Sequence, residues 1–408
     1  MLNLTINILG MHVVQERLDV KTKKRSNLFN WRGQFTPEFV EYLLEMFAAP
    51  GSNVLDPFSG SGTVLQECAR MNLPACGFEI NPSAYAMSRF FSFCNISLND
   101  RLEFVNEFER KLHQIEFYNS LQPVFIEDPD YRKAYKNLLD FSDHFNSGIT
   151  SKNERIFLLN ILFACERDKS LSLGTSLHKS FNYNKKSLLS LPFTASPIVA
   201  RLKDARVTGS EFPSTFDLII TSPPYINVFN YHQNFRAIIE KFKFDILKVA
   251  HSEFGSNRKN RGNRFKTVVQ YCLDMEEAIH SFWSTLKPNG TMVLIVGRES
   301  NVRNTAFYNS KMIIDIITES KGFGEIKTLE RQFLNKFGNI IKEDIIIAKK
   351  AETILNDLFG RKIAVNQLEN ALRITNNSIH DDVVDAINQI NQIDSSPIFN
   401  PSNIFSNE

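Results

Sequence analysis

The segment Asn53-Val54-Leu55-Asp56-Pro57-Phe58-Ser59-Gly60-Ser61-Gly62-Thr63 constrains this chain more than any other. A short apolar strand runs into a glycine turn, and a helix follows from about Gly62 to Met71. Two glycines let the backbone come close to a ligand, because no Cβ intrudes and positive φ is cheap. The helix start turns unsatisfied N–H groups toward a carboxylate or another polar ligand group. A second strand, Ala75-Cys76-Gly77-Phe78, ends at Glu79, and Asn81-Pro82 opens another helix. Strand, helix and strand at this spacing make a βαβ unit of a parallel sheet. Glu79 lies 19 residues beyond Gly60, where an acid at a strand end reaches the two hydroxyls of a ribose. The third glycine of a dinucleotide fingerprint would fall at Leu65, so a pyrophosphate ligand does not fit.

The α/β pattern breaks off near residue 95 and resumes near 200. Between them lies a Phe-rich stretch with helical periodicity at Leu102, Val105, Phe108, Leu112 and Ile115, and an apolar run from Ile156 to Phe163. We read 1–95 and 200–350 as one split core, 96–199 as a helical insert and 351–408 as a helical tail. In the second half, Phe216 to Thr221 (FDLIIT) is a buried strand that runs into Ser222-Pro223-Pro224-Tyr225. A helix bearing Ile279, Phe282, Trp283 and Leu286 precedes a turn at Lys287-Pro288-Asn289-Gly290 and a strand from Thr291 to Val296. Strands around Ile326 to Arg331 and Asp344 to Ala348 then close the sheet as a hairpin.

Two successive prolines after Ser222 remove two backbone donors and stiffen the chain in extended form. A proline carbonyl and the Ser222 hydroxyl then stay aimed at a donor group of a ligand rather than at a neighbouring strand, and Tyr225 supplies a flat face on which a planar ring can stack. A single Pro-Pro could be only a rigid turn. Paired with the glycine turn, it reads as a site.

The Asp56-Pro57-Phe58-x-Gly60-x-Gly62-Thr63 segment and Thr221-Ser222-Pro223-Pro224-Tyr225 resemble the two signature motifs of the amino-methylating DNA methyltransferases. The resemblance covers about 29–90 and 200–350. It implies a class I methyltransferase fold, a mostly parallel sheet with helices on both faces, and S-adenosylmethionine as cofactor, without a metal. Asp56, Phe58, Gly60, Gly62, Thr63 and Glu79 would hold the cofactor, and Ser222, Pro223, Pro224 and Tyr225 the flipped base. In that family Asp-Pro-Pro-Tyr is common among adenine-N6 enzymes, and Thr-Ser-Pro-Pro-Tyr is typical of cytosine-N4 enzymes. We therefore expect cytosine-N4 methylation, with adenine-N6 as the alternative, since Ser occurs there too. Phe29 to Pro37 resembles the family segment over the methionine end of the cofactor, which would add Trp31, although Trp31 and Phe35 would serve equally as core. Asp204 stands where the family often contacts the cofactor's adenine, but a solvated Asp fits nearly as well. Methylation of cytosine carbon 5 is set aside, because it needs a thiolate, usually in a Pro-Cys pair, and the chain has none.

Net charge is only +2, so local charge must identify a polyanionic partner. From Lys241 to Gln270 eight basic side chains face two acidic ones. Arg258, Lys259, Arg261 and Arg264, interleaved with Gly and Asn, predict a mobile basic loop that meets phosphates beside the catalytic mouth; a solvated loop is the plain alternative. Tyr231, His232 and Arg236 are further candidates for the base pocket. The order of the motifs implies that the insert holds target recognition. The expected partners are double-stranded DNA and, in a restriction-modification system, a cognate endonuclease. The five scattered cysteines argue against disulfides or structural zinc and for a reducing cytoplasm. RNA or protein-glutamine methylation is disfavoured by Ser222, since those families usually carry Asn or Asp there. A non-catalytic binding module is disfavoured by two intact motifs.

Overall fold

The computed structural model describes residues 5–401 apart from 9–10, 22, 115–130, 150, 169–172, 227–230, 257–259, 336, 353–358 and 375–376. A short hairpin, β1 (Thr5–Ile8) and β2 (Met11–Val14), leads into the main body. The central sheet takes β3 (Val54–Asp56), β4 (Ala75–Glu79), β5 (Ile198–Leu202), β6 (Phe216–Thr221) and β7 (Leu286–Gly297). After a second small hairpin, β8 (Ser300–Val302) and β9 (Thr305–Phe307), it is completed by β10 (Phe323–Leu334) and β11 (Ile340–Lys350). The strand order is β10-β11-β7-β6-β3-β4-β5. Strands β5, β4, β3, β6 and β7 pair in parallel, and β11 runs antiparallel between β7 and β10. This is the expected class I methyltransferase fold, with the terminal hairpin longer than its apolar centres suggest.

Alternation along the strands builds two cores. Successive side chains point to opposite faces, and strands covered on both sides read as continuous apolar runs. Leu218 and Ile220 of β6, with Val293 and Ile295 of β7, enter the core on one face. Ile219, Met292, Leu294 and Val296 enter the other. Helices Pro37–Phe47, Thr63–Arg70 and Pro82–Phe90 cover the first face. Helices Lys266–Thr285, Asn309–Ser320 and Gly360–Leu372 cover the second.

The region between the two halves joins the first layer instead of building a core of its own. Helix Lys152–Arg167 is capped by Ser151, which accepts from the Glu154 N–H, while Glu154 answers to the Ser151 N–H. Its Phe157 stacks on Phe90, ring centres 6.4 Å apart. The edge strand β5 begins at Ile198, two residues before the point where the sequence pattern marks the return of the core. Its inner residues alternate with Val199 and Arg201 at the sheet edge, which hides it from a search for apolar runs.

The tail packs on the second face through Ile363, Leu368 and Val383. Beyond them the chain crosses to the carboxyl ends of the strands, where a buried Arg206 holds it. This guanidinium donates to both oxygens of Asp204 (2.9 and 2.7 Å), to Asp274 (3.3 Å) and to the carbonyls of Ser396 (2.7 Å) and Pro397 (3.0 Å). The Phe399 N–H donates to Asp204 at 2.9 Å, and the Ser396 N–H to Asp274 at 2.6 Å. Removing one partner of a buried ion pair leaves the other charge desolvated and uncompensated. Arg206→Met is therefore expected to cost about 3–5 kcal/mol of unfolding free energy, read as a lowered urea midpoint.

Candidate active site

The glycine turn forms as β3 gives way to helix Thr63–Arg70. The Ser59 N–H donates to the Phe78 carbonyl of β4 at 2.9 Å, and the Gly62 N–H to Ser59 at 2.8 Å. Gly62 sits at φ +88°, and a Cβ there would lie 2.7 Å from the Ser88 Cα and 2.9 Å from the Phe91 ring. Only glycine fits there. Glu79, at the end of β4, accepts from the Gly60 N–H at 2.9 Å and the Asn81 N–H at 2.8 Å. Burial pushes its pKa up to about 7, against these two N–H groups, which pull it down.

The proline loop leaves β6 beside this turn because β3 and β6 are neighbours in the sheet. One hydroxyl joins their ends through two hydrogen bonds: that of Thr221 donates to Asp56 at 2.6 Å and itself receives the Phe58 N–H at 3.3 Å. Asp56 is buried, and burial lifts its carboxyl to about 7 despite that bond. Further along, the hydroxyls of Ser222 and Tyr225 lie 3.3 Å apart. The Tyr225 ring packs on Gly297 at the end of β7, where a Cβ would come within 2.9 Å of it. Its ring has one side closed by Gly297, so stacking needs the other.

Both motifs open on one cavity of about 650 Å³. Trp31, Asp56, Phe58, Gly60, Thr63, Glu79, Asp204, Ser222, Pro223, Pro224 and Tyr225 all line it. Open α/β sheets bind ligands here, outside the carboxyl ends of strands where the strand order reverses. Gly62 lies behind the turn, packed on Ser88 and Phe91, and makes room for the turn without lining the cavity. Trp31 is buried against the stacked ring of Tyr231 at 5.9 Å, next to Gly60. Asp204 is in the wall, but its carboxylate already takes four donors from Arg206 and Phe399, including the Arg206 N–H at 3.0 Å. A further hydrogen bond to a ligand must displace one of them.

Arg258 and Lys259 lie outside the described residues. Arg261 and Arg264 are exposed. Their loop starts at Gly255, whose backbone meets the Tyr225 carbonyl so closely that a Cβ would stand 2.7 Å away. At its described end, Asn263 donates to Asp385 at 3.0 Å, and Lys266 pairs with the same carboxylate at 2.9 Å. Arg236 pairs with Glu240 at 2.7 Å, and neither is part of the cavity wall.

Several wall residues carry no motif. Glu253 lines the cavity and bonds the buried His232 ring, Nδ1 to Oε2, at 2.6 Å. Glu343 of β11 lines it near Tyr225; burial raises its pKa, against the pull of Arg331, which stands 3.5 Å away. Phe254 meets Phe58 edge to face at 5.3 Å. These residues come from distant parts of the chain, so no spacing announces them.

The cavity suits a nucleoside carrying a cation. It offers a strand-end carboxylate for vicinal hydroxyls, apolar walls at Ile80, Ala205 and Phe254 for a ring, and further acids for positive charge. The Ser59 hydroxyl beside the turn is buried with no hydrogen-bond partner among the described residues.

Residues 14–90 match the family model of the N6/N4 type described as DNA methylase. The chain is 20% identical over 406 residues to Type II methyltransferase M.MjaII of Methanocaldococcus jannaschii, covering 72% of this chain and 76% of that one. Among solved structures it is similar to TrmN from Thermus thermophilus (14% identity, TM-score 0.33, 78% of this chain and 50% of that one). It is also similar to an S-adenosylmethionine-dependent methyltransferase from Methanosarcina mazei (11% identity, TM-score 0.35, 77% and 98%).

The cross-link between the motifs can be removed with little change of shape. Thr221→Val leaves the buried Asp56 without its hydroxyl donor and is expected to cost about 1–3 kcal/mol. Urea unfolding at unchanged m-value checks it.

Proposed function

We propose that this amino-methylating DNA methyltransferase transfers a methyl group from S-adenosylmethionine to the exocyclic N4 of cytosine in duplex DNA. The observation that carries the reading is one cavity with the glycine turn and Glu79 on one wall and the Ser222-to-Tyr225 rim on another. Thr221-Ser222 ahead of the prolines, in place of an acid, is what favours cytosine-N4 over adenine-N6.

The bound cofactor supplies a methyl group made electrophilic by a sulfonium sulfur. Glu79 accepts from the ribose hydroxyls, and Gly60 keeps the turn thin enough for the nucleoside to approach. Asp56 and Phe58 wall the cavity, as does Trp31, which would cover the methionine end. The Ser222 hydroxyl and the Pro223 carbonyl accept from the amine of an extruded base and hold its nitrogen in line, while Tyr225 stacks on the ring. Direct transfer would form the nitrogen–carbon bond as the methyl–sulfur bond breaks and would release one amine proton by way of the Ser222 and Pro223 oxygens, with no covalent enzyme intermediate. Arg261 and Arg264 meet backbone phosphates next to this mouth, together with Arg258 and Lys259. The helical region 96–199 reads the target sequence. In this reading the protein is the modification half of a restriction-modification system in the cytoplasm, with an endonuclease that cuts the same site. Its five free, buried cysteines agree with a reducing compartment.

Tritium transfer from labelled cofactor tests the reading, with hydrolysed nucleosides identified by mass. N4-methylcytosine from duplex DNA is expected, and Tyr225→Ala should lower the rate about 10²-fold or more. N6-methyladenine would move the target base, and label entering only RNA or protein glutamine would overturn the DNA reading. Cofactor binding should also depend on pH. The accepting, ionised form of Glu79 prevails above its pKa of about 7, so affinity should rise from pH 6 to 8 and then level off. Glu79→Gln should weaken binding and flatten that rise in calorimetry.

A further inference from the structure

The β10–β11 hairpin ends in an apolar tip that the sheet does not need. Leu334, Phe337 and Ile340 are 67%, 76% and 62% exposed, among the most exposed large apolar side chains of the described residues, and they lie together on one turn. Leu334 and Ile340 are cross-strand partners, as are Phe333 and Ile341 one step inward. The two pairs face opposite sides of the ribbon, so the finger carries apolar side chains on both faces. Hydrogen bonds cross the turn. Asn335 Oδ1 accepts from the N–H groups of Phe337 (2.9 Å) and Asn339 (3.0 Å), and the Asn335 N–H donates to the Asn339 carbonyl at 2.9 Å.

This finger borders the cavity that holds Ser222 and Tyr225: Phe333, Ile340 and Ile341 are themselves part of its wall. The segment from Arg331 to Lys342 contains three basic residues and no Asp or Glu, so nothing on it repels phosphates. A base drawn into the cavity leaves a gap in its stack, and apolar side chains pushed between base steps fill such gaps and hold the helix open. We infer that the β10–β11 tip is a wedge that enters duplex DNA beside the target base, with Leu334 and Phe337 taking the place of the extruded nucleotide. The inference rests on the duplex-DNA reading above and adds to it a surface outside the catalytic rim.

The test compares two duplexes carrying the methylated site, once that site has been mapped by sequencing. One is fully paired, and the other has an abasic position opposite the target base, so that extrusion is already easy. Leu334→Ala/Phe337→Ala changes only exposed side chains, and its fold is checked by circular dichroism. On the paired duplex its methylation rate is expected to fall about ten-fold or more, and on the abasic duplex to return to within about three-fold of the wild type. Equal losses on both duplexes, or none on either, would overturn the wedge. So would a change of sedimentation coefficient accompanied by an unchanged ratio of the two rates, which would assign the tip to contact with a second copy. A wild-type protein that methylates neither duplex would instead remove the DNA reading, and the wedge with it.

Discussion

The site depends on a single hydroxyl at the place where the sheet changes direction. Thr221 on β6 donates to Asp56 on β3 and accepts from Phe58, so the two strands that flank the reversal of strand order end at one height. A parallel sheet of buried strands brings their carboxyl ends to the same edge without further help. What it does not do is fix the two loops relative to each other to within a hydrogen bond. The Thr221–Asp56 contact supplies that. The glycine turn and the proline rim then share a cavity rather than lying next to two separate ones.

Around that contact the wall carries buried acids. Asp56, Glu79 and Glu343 all carry carboxyls pushed upward by burial. Desolvated acids of this kind are uncomfortable without a cation, and they cluster at functional sites for that reason. In the proposed function a cofactor with a positive sulfur enters this space, and part of the cost of burying the acids would then be returned on binding.

The sequence made legible what is local. The glycine turn, Glu79 at the end of β4, and the FDLIIT strand running into Ser222 are read within a few residues, because turn chemistry and strand periodicity act at short range. Strand β5 was harder, since Arg201 and its edge position break the apolar run. The partners of individual side chains were not legible at all. Lys266 counts toward a basic loop on paper, yet Asp385, more than a hundred residues later, neutralises it. Asp204 looks like an available acceptor until the chain's far end fills it. Glu253 and Glu343 enter the wall by the same long-range route.

That remote segment has a consequence for how the site assembles. Residues Ser396 to Phe399 complete the hydrogen-bond shell of Arg206 and of Asp204, the latter a residue of the cavity wall. Phe399 and Asp204 are 195 residues apart in the chain, and closing so long a loop costs entropy before its contacts offset it. The motifs form from local contacts, whereas this wall closes only when two distant stretches meet. Loosening the segment around Phe399 therefore reaches the ligand cavity without touching either motif.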